Sequence, residues 1–407
     1  MVPNSWVSCH LGDFMEFKNG LNADKSQYGY GLKFVNVMDV FGNDILTEDK
    51  IIGRVNVAES QLESNLLKFG DVLFNRTSET FDEIAMSAVY LDDKPAVFGG
   101  FVIRARPGKG ILTPAYSVYL FQSSKFRNQV IKLGQGAVRA NIGQKDLAKV
   151  KVSIPPLPEQ KKIAQILSTW DKAITTTEQL LANSQQQKKA LMQQLLTGKK
   201  RLLDDNGIRF SGKWKKVKLG SVADMNSGGT PKSSVEEYYG GDIPWVSIAD
   251  MTKHGKWIVS TEKYLTPIGL ENSSARIYPK NTILYAMYAS IGECSIAKVP
   301  LSSSQAILGI RPKDSLDFEY LYFFLSSLKE KMKLQGQQGT QSNLNAGMVK
   351  DFTIILPSVE EQQNIAAVLS SADQEIDSLQ QKIEALKQEK KALMQQLLTG
   401  KRRIQIN

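Results

Sequence analysis

Alternating steps of four and three trace a mostly apolar stripe through Ile163, Leu167, Trp170, Ile174, Thr177, Leu181, Ser184, Lys188, Leu191 and Leu195. A second stripe runs through Ile365, Leu369, Ala372, Ile376, Leu379, Ile383, Leu386, Lys390, Leu393 and Leu397. Gln, Lys, Glu and Ser fill the positions between, as on a solvated face. This is the heptad pattern of a long helix with one buried seam, predicted twice. Pro158 suits a first helical turn, and Ser358 with Glu361 has capping-box spacing. Gly198 and Gly400 suit left-handed stops, each followed by basic residues. From Glu159 to Thr197 is about 39 residues, or roughly 58 Å at 1.5 Å per residue. Such a seam must be covered, and the two helices are the expected partners for each other, with packing of each on its own domain as the alternative. Polar Thr177, Ser184, Lys188 and Lys390 would weaken a simple two-stranded zipper and leave room for further helices.

The two stripes belong to one duplication. "KKALMQQLLTGK" occupies 188–199 and again 390–401, a shift of 202 residues (188 to 390). The same shift lays "PPLPEQKKIAQILSTWDKAI" (155–174) over "PSVEEQQNIAAVLSSADQEI" (357–376), and about half of the pairs from 154 to 202 are identical. A period this long is a tandem domain-plus-helix unit, not a solenoid. The expected division is a first domain at 1–153, a first long helix at 154–200, a second domain at 201–355, and a second helix with its tail at 356–407.

The domains share a frame and little else. Each opens on Trp followed by Leu-Gly, "WVSCHLG" (6–12) and "WKKVKLG" (214–220). Each continues through a Gly-bearing polar turn to a β-like run ending in Asp, "KFVNVMD" (33–39) and "IPWVSIAD" (243–250). Strand runs follow in "FGDVLFNR" (69–76) and "PKNTILYAM" (279–287). Helical segments come late, "YSVYLFQSSKFRNQVIKLG" and "FEYLYFFLSSLKEKMKL", before a polar loop and a strand that leads into the long helix. Short strands with late helices predict α+β domains of one fold. Helices kept alike while loops diverge fit one task performed twice on different ligands.

Composition adds a partner class and removes several chemistries. The 51 Lys and Arg against 41 Asp and Glu leave a net charge of +10, which favours an anionic partner such as nucleic acid. Cys9 and Cys294 have no metal-ligand spacing and read as free thiols of a reducing cytosol. No apolar run approaches the ~20 residues of a membrane span, and the N-terminal stretch does not have the pattern of a signal peptide. His10 and His254 are isolated, no G-x-x-x-x-G-K-[ST] or strand-borne G-x-G-x-x-G occurs, and no Asn-Pro-Pro-Tyr-like methyltransferase motif is present. The residues describe a binding protein rather than a catalyst.

Tandem variable domains, each followed by P-x-x-E-Q and closing on "ALMQQLLTGKKRL" or "ALMQQLLTGKRRI", resemble the specificity (S) subunit of type I restriction–modification systems. The resemblance spans the whole chain. It implies two target recognition domains, each reading one half of a split DNA sequence, on helices paired as an antiparallel coiled coil with pseudo-two-fold symmetry. It implies two methyltransferase (M) subunits docked on this framework, methylating adenine N6, and restriction/motor (R) subunits that cut unmodified DNA. S-adenosylmethionine, ATP and Mg would then be held by those partners, with no cofactor, metal or catalytic residue in this chain. The alternative is a coiled-coil adaptor with two protein-binding domains and no DNA role.

Base-edge patterns are distinctive in the major groove, so each domain should place loops there. Loop position and chemistry nominate Lys18, Asn19, Arg76, Thr77, Ser78, Arg139, Asn141 and Lys145 in the first domain. In the second they nominate Thr230, Lys232, Tyr288, Ser290, Gln341, Ser342 and Asn343. Ile163, Leu167, Leu191, Leu195, Ile365, Leu369, Leu393 and Leu397 are assigned to the coiled coil and partner docking.

Overall fold

A computed structural model describes residues 3–136, 139–288, 290–337 and 344–404. It divides into two compact units, Met1–Glu178 with Gln381–Asn407, and Gln179–Gln380. Each unit thus holds one domain, the first half of the long helix that follows it, and the last half of the other long helix.

In the first unit a five-stranded sheet runs in the order Met15–Asn19, Val102–Pro107, Val72–Asn75, Ser87–Tyr90 and Ile45–Leu46. Its last pair is parallel and the rest are antiparallel. A three-stranded sheet orders Arg54–Val55, Tyr28–Val35 and Ala96–Phe98, and Val7–His10 pairs with Lys151–Ile154. The second unit repeats this topology. Its larger sheet orders Ala223–Ser227, Ile307–Pro312, Ile283–Ala286, Cys294–Ala297 and Trp257–Ile258. Its smaller sheets are Lys263–Leu265, Tyr239–Val246 and Ser302–Ser303, and Lys215–Lys218 with Thr353–Leu356. The α+β expectation holds.

One local expectation fails in both units. The runs 33–39 and 243–250 are strand only to Val35 and Val246. Asn36 and Ser247 then act as N-caps, their side chains accepting from backbone N–H groups of the helices Val37–Gly42 and Ile248–His254. Asp39 and Asp250 close the capping box from the third helical position, so the terminal Asp marks a helix start rather than a strand end.

The long helices are Leu157–Leu195 and Val359–Leu397, 39 residues each. Gly198 and Gly400 both take φ of +71°, the left-handed stop expected of them. Every stripe position is buried or half-buried. In the first unit Ile163, Ala164 and Leu167 join Leu397 and Leu398 in the domain core, around the packed rings of Phe74, Phe121 and Phe126. In the second, Ile365, Ala366 and Leu369 meet Leu195 and Leu196 in the same way. So each seam is covered both by its own domain and by the other helix.

The polar stripe positions are satisfied. Lys390 pairs with Asp171 in the first unit, and Lys188 with Asp373 in the second, the same pair displaced by 202 residues. Ser184 donates to Glu375 at 3.1 Å, and Thr177 to the Ala173 carbonyl at 2.8 Å. The helix segments in each unit run antiparallel, because Glu159 binds Arg403 and Glu178 binds Lys387, while Glu361 binds Arg201. Glu159 and Glu361 are each 1% exposed and also accept from an indole N–H, Trp6 at 3.0 Å and Trp214 at 3.1 Å. Ser358 does accept the Glu361 N–H at 3.3 Å, but the Glu361 carboxylate turns to Arg201 and Trp214, so the capping box there is half formed. Gln160 and Gln362 repeat a third anchor, each amide donating to a carbonyl before its helix and accepting from the N–H of Thr113 or Asp317 at 2.8 Å. Both cysteines are free. Among the described residues no helix is long and apolar enough to cross a membrane.

Candidate nucleic-acid interface

Four loops meet at one end of the first domain, and backbone hydrogen bonds hold them. Gly20 N–H donates to Val102 O at 3.2 Å and Gly99 N–H to Val35 O at 3.0 Å. A tight turn closes from Val102 N–H to Gly99 O at 2.9 Å. Arg76 N–H donates to Phe101 O at 2.8 Å, and Ile142 N–H to Arg76 O at 3.0 Å.

The second domain carries the same frame on other residues. Gly228 N–H donates to Ile307 O at 3.0 Å, Ser304 N–H to Val246 O at 2.9 Å, and Ile307 N–H to Ser304 O at 3.1 Å. Met287 N–H donates to Ala306 O at 2.9 Å, and Leu344 N–H to Met287 O at 3.0 Å. Gly20 and Gly228 are held to glycine by approach: a Cβ on either would lie 2.2 Å from a neighbouring carbonyl oxygen. The frame is kept while its side chains change. Arg76 stands where Met287 does, Thr77 where Tyr288 does, Phe101 where Ala306 does, and Met38 where Ala249 does.

Equivalent carboxyls respond differently to this setting. Burial pushes the Asp39 carboxyl above its ordinary range, and its hydrogen bond with Asn36 N–H opposes the shift without cancelling it. Burial also pushes Asp250 upward, but hydrogen bonds from the Ser247 hydroxyl and N–H and from Glu262 N–H outweigh it, so Asp250 is held below the ordinary range.

A family model described as the type I restriction modification DNA specificity domain matches residues 3–183 and again 211–388. The chain belongs to this family. Its two specificity domains are the two units' repeated folds. A protein of Methanocaldococcus jannaschii, provisionally named the type I restriction enzyme MjaX specificity subunit, is 27% identical over 99% of this chain and 95% of its own length. In fold the chain is similar to a structure described as the type I restriction–modification S subunit from M. genitalium, with a TM-score of 0.57, 15% identity and 98% coverage of both chains. It is also similar to a chain solved in a study of complex assembly and conformational transition of the type I R-M system, with a TM-score of 0.64, 18% identity and 98% coverage of both.

In the first specificity domain the structure brings together Arg76, Thr77, Arg139 and Asn141. Thr77 and Asn141 form a short antiparallel pair, and the Thr77 hydroxyl donates to Asn141 Oδ1 at 2.9 Å. Asn141 Nδ2 donates to Arg139 O at 3.0 Å, which orders the loop that carries Arg139. Arg76, Arg139 and Asn141 are exposed. Lys145 is exposed on the helix Gln144–Ala148, and Asn19 ends a strand opposite Ile103. Two residues sit differently from a free loop position. Lys18 is half-buried inside a strand, across from Arg104. Ser78 is buried, donating to Glu83 at 2.9 Å and accepting from Thr80 N–H, so it holds the loop rather than facing outward.

In the second specificity domain Thr230 and Lys232 are exposed beyond the Gly228–Gly229 approach, while Tyr288 and Ser290 are exposed beside Met287. Gln341, Ser342 and Asn343 lie outside the described residues. Exposed side chains at these loops that were absent from the sequence nominations include Met38, Glu79, Phe101 and Arg276. The signal for Phe101 was a large aromatic directly after Gly99-Gly100, a turn position with no strand face to bury it. Leu191 and Leu393 are half-buried, and Ile163, Leu167, Leu195, Ile365, Leu369 and Leu397 are buried.

Proposed function

We propose that this chain, the DNA-recognition subunit of a type I restriction–modification system, reads one half of a bipartite target with each specificity domain. The working domains are residues 1–153 and 201–355, with the spacer helices in 154–200 and 356–407. The observation that carries this reading is the repeated loop frame with different exposed side chains. One frame delivers loops in the same way twice, and the changed side chains address different bases. Arg76, Arg139 and Lys145, with Lys232 and Arg276, supply cations for phosphates and for guanine edges, while Thr77, Asn141, Thr230 and Tyr288 supply polar contacts. Base edges are distinguishable in the major groove, which is where these loops are expected to enter.

The paired helices are the spacer and the docking platform for two methyltransferase subunits, which methylate adenine N6 in each half. Restriction/motor subunits join the same assembly. S-adenosylmethionine, ATP and Mg belong to those partners and not to this chain, and the assembly works in the cytoplasm. Duplex binding by the chain with its methyltransferase partner tests the reading. Binding should weaken steeply with salt, by roughly 0.9 log unit per log unit of salt for each phosphate neutralised. Retention that is indifferent to salt and to DNA would favour the protein-binding adaptor instead.

A further inference from the structure

The first specificity domain carries an apolar feature that its counterpart lacks. Met38 is 70% exposed and Phe101 is 65% exposed, although both are large apolar side chains. They line one cleft of about 620 Å³ together with Phe41, Thr77 and Arg139. The cleft walls are built, not frayed. The Asn36 cap fixes Met38, whose N–H donates to Asn36 Oδ1 at 2.8 Å. The Gly99–Val102 turn fixes Phe101, whose carbonyl accepts from Arg76. In the second domain the same two frame positions hold Ala249 and Ala306.

Two acidic residues also line the cleft, Glu79 and Glu83. Glu83 is engaged by Ser78, and Glu79 is exposed. A carboxylate there disfavours a phosphate and accepts from an exocyclic amino group, so the cleft suits base edges rather than the DNA backbone. The apolar group that a base edge presents in the major groove is the C5-methyl of thymine. Burying a methyl between Met38 and Phe101 removes apolar surface from water on both partners.

We propose that Met38 and Phe101 read a thymine C5-methyl group in the half-site bound by the first specificity domain. This rests on the DNA-recognition reading above and names one chemical determinant within it. Its test uses the complete complex of this chain with its methyltransferase partner and duplexes of the mapped target. Each thymine of the half-site is replaced in turn by deoxyuridine, which keeps the base pair and lacks only the methyl group. One replacement should weaken binding about fourfold, the value of one buried methyl-sized group. In Phe101→Ala that thymine and uracil should be bound alike, while Phe101→Leu keeps part of the preference. Across the half-site of the second domain, the effect of each replacement should be the same in the wild type, Phe101→Ala and Met38→Ala, because those two side chains belong to the first domain.

Unchanged thymine preference in both Phe101→Ala and Met38→Ala would overturn the proposal, as would wild-type binding indifferent to every replacement. Sequence-independent binding by the wild-type complex is a different result: it would overturn the DNA-recognition reading beneath. Phe101 lies mostly in solvent, so its alanine variant should fold, and a far-UV circular dichroism spectrum and an unfolding midpoint matching the wild type check that it does.

Discussion

The loop ends of the two specificity domains share a backbone and differ in nearly every side chain that reaches outward. The first presents Arg76, Thr77, Phe101 and Met38 on its frame; the second has Tyr288, Ala306 and Ala249 at three of these positions and turns Met287, only 2% exposed, into its core at the fourth. The hydrogen bonds beneath agree pair by pair. Below them the anchors are duplicated too: Glu159 with Trp6 and Arg403, and Glu361 with Trp214 and Arg201. The lesson is a division of labour within one fold. Groups that deliver a loop are fixed by burial and hydrogen bonding, whereas side chains that stand mostly in solvent, such as Phe101 and Met38, are free to differ.

The largest effect should come from breaking the shared part. Leu167 and Leu369 occupy equivalent, fully buried positions where helix meets domain. Each Leu→Ala change should cost about 2–5 kcal/mol, and the two costs should match closely. Chemical denaturation followed by hydrogen exchange measures both, with lost protection concentrated in the unit that carries the change. A large cost for one of the two variants and a small cost for the other would show that the duplicated anchors are not equivalent.

Next in size are changes to the displayed part. Arg139→Ala should weaken target binding by about 1–3 kcal/mol and relax recognition in one half only, with folding stability unchanged. Equilibrium binding to duplexes altered in one half at a time would measure this. Equal relaxation of both halves would break the assignment of one domain to one half.

A smaller test uses an internal difference between the units. Tyr119 and Phe323 occupy matching positions, with Lys390 over the Tyr119 ring at 5.6 Å and Lys188 over the Phe323 ring at 5.8 Å. The Tyr119 hydroxyl donates to Asp171 at 2.7 Å, a bond that Phe323 cannot make. Tyr119→Phe converts the first unit to the pattern of the second and should cost about 1 kcal/mol in denaturant unfolding.

The smallest effect is a pH dependence of opposite sign at Asp39 and Asp250. Asp250 is held below its ordinary range, so its contribution to stability is present above the usual carboxylate value near 4 and is lost as pH falls through its folded value. Asp39 is pushed above its ordinary range, so its charged form is penalised in the fold and its contribution declines as pH rises through that region. The cost of Asp250→Asn should therefore shrink on acidification, while that of Asp39→Asn should grow. Unfolding midpoints of the two variants between pH 3 and 7 would register the opposite slopes.

The helices were the most legible part of the sequence, because a heptad stripe and paired glycine stops state the period and the end in local terms. Polar Lys188 and Lys390 looked like defects in that stripe. Their partners, Asp373 and Asp171, lie on the other helix, so no local pattern could reveal them. The short helices after Val35 and Val246 were missed because the β-branched runs read as continuous strand, although the caps Asn36 and Ser247 were there to be read. The candidate interface was legible only in part. Arg76, Thr77 and Asn141 could be nominated from loop chemistry, but Ser78 could not be told from its exposed neighbours without its bond to Glu83. Phe101 and Met38 escaped because apolar residues are taken for core unless the fold shows them in solvent.

The central claim is that one frame displays two independent readers. Mapping methylated adenines across the genome of a host carrying this chain and its methyltransferase partner tests it most directly. The map is compared with that of a variant in which Met38→Ala, Arg76→Met, Thr77→Tyr and Phe101→Ala give the first frame the side chains of the second. The account predicts a two-part target for the parent and, for the variant, a change confined to one part with the other part and the gap between them preserved. An undivided target, or a change that spreads to both parts, would contradict it.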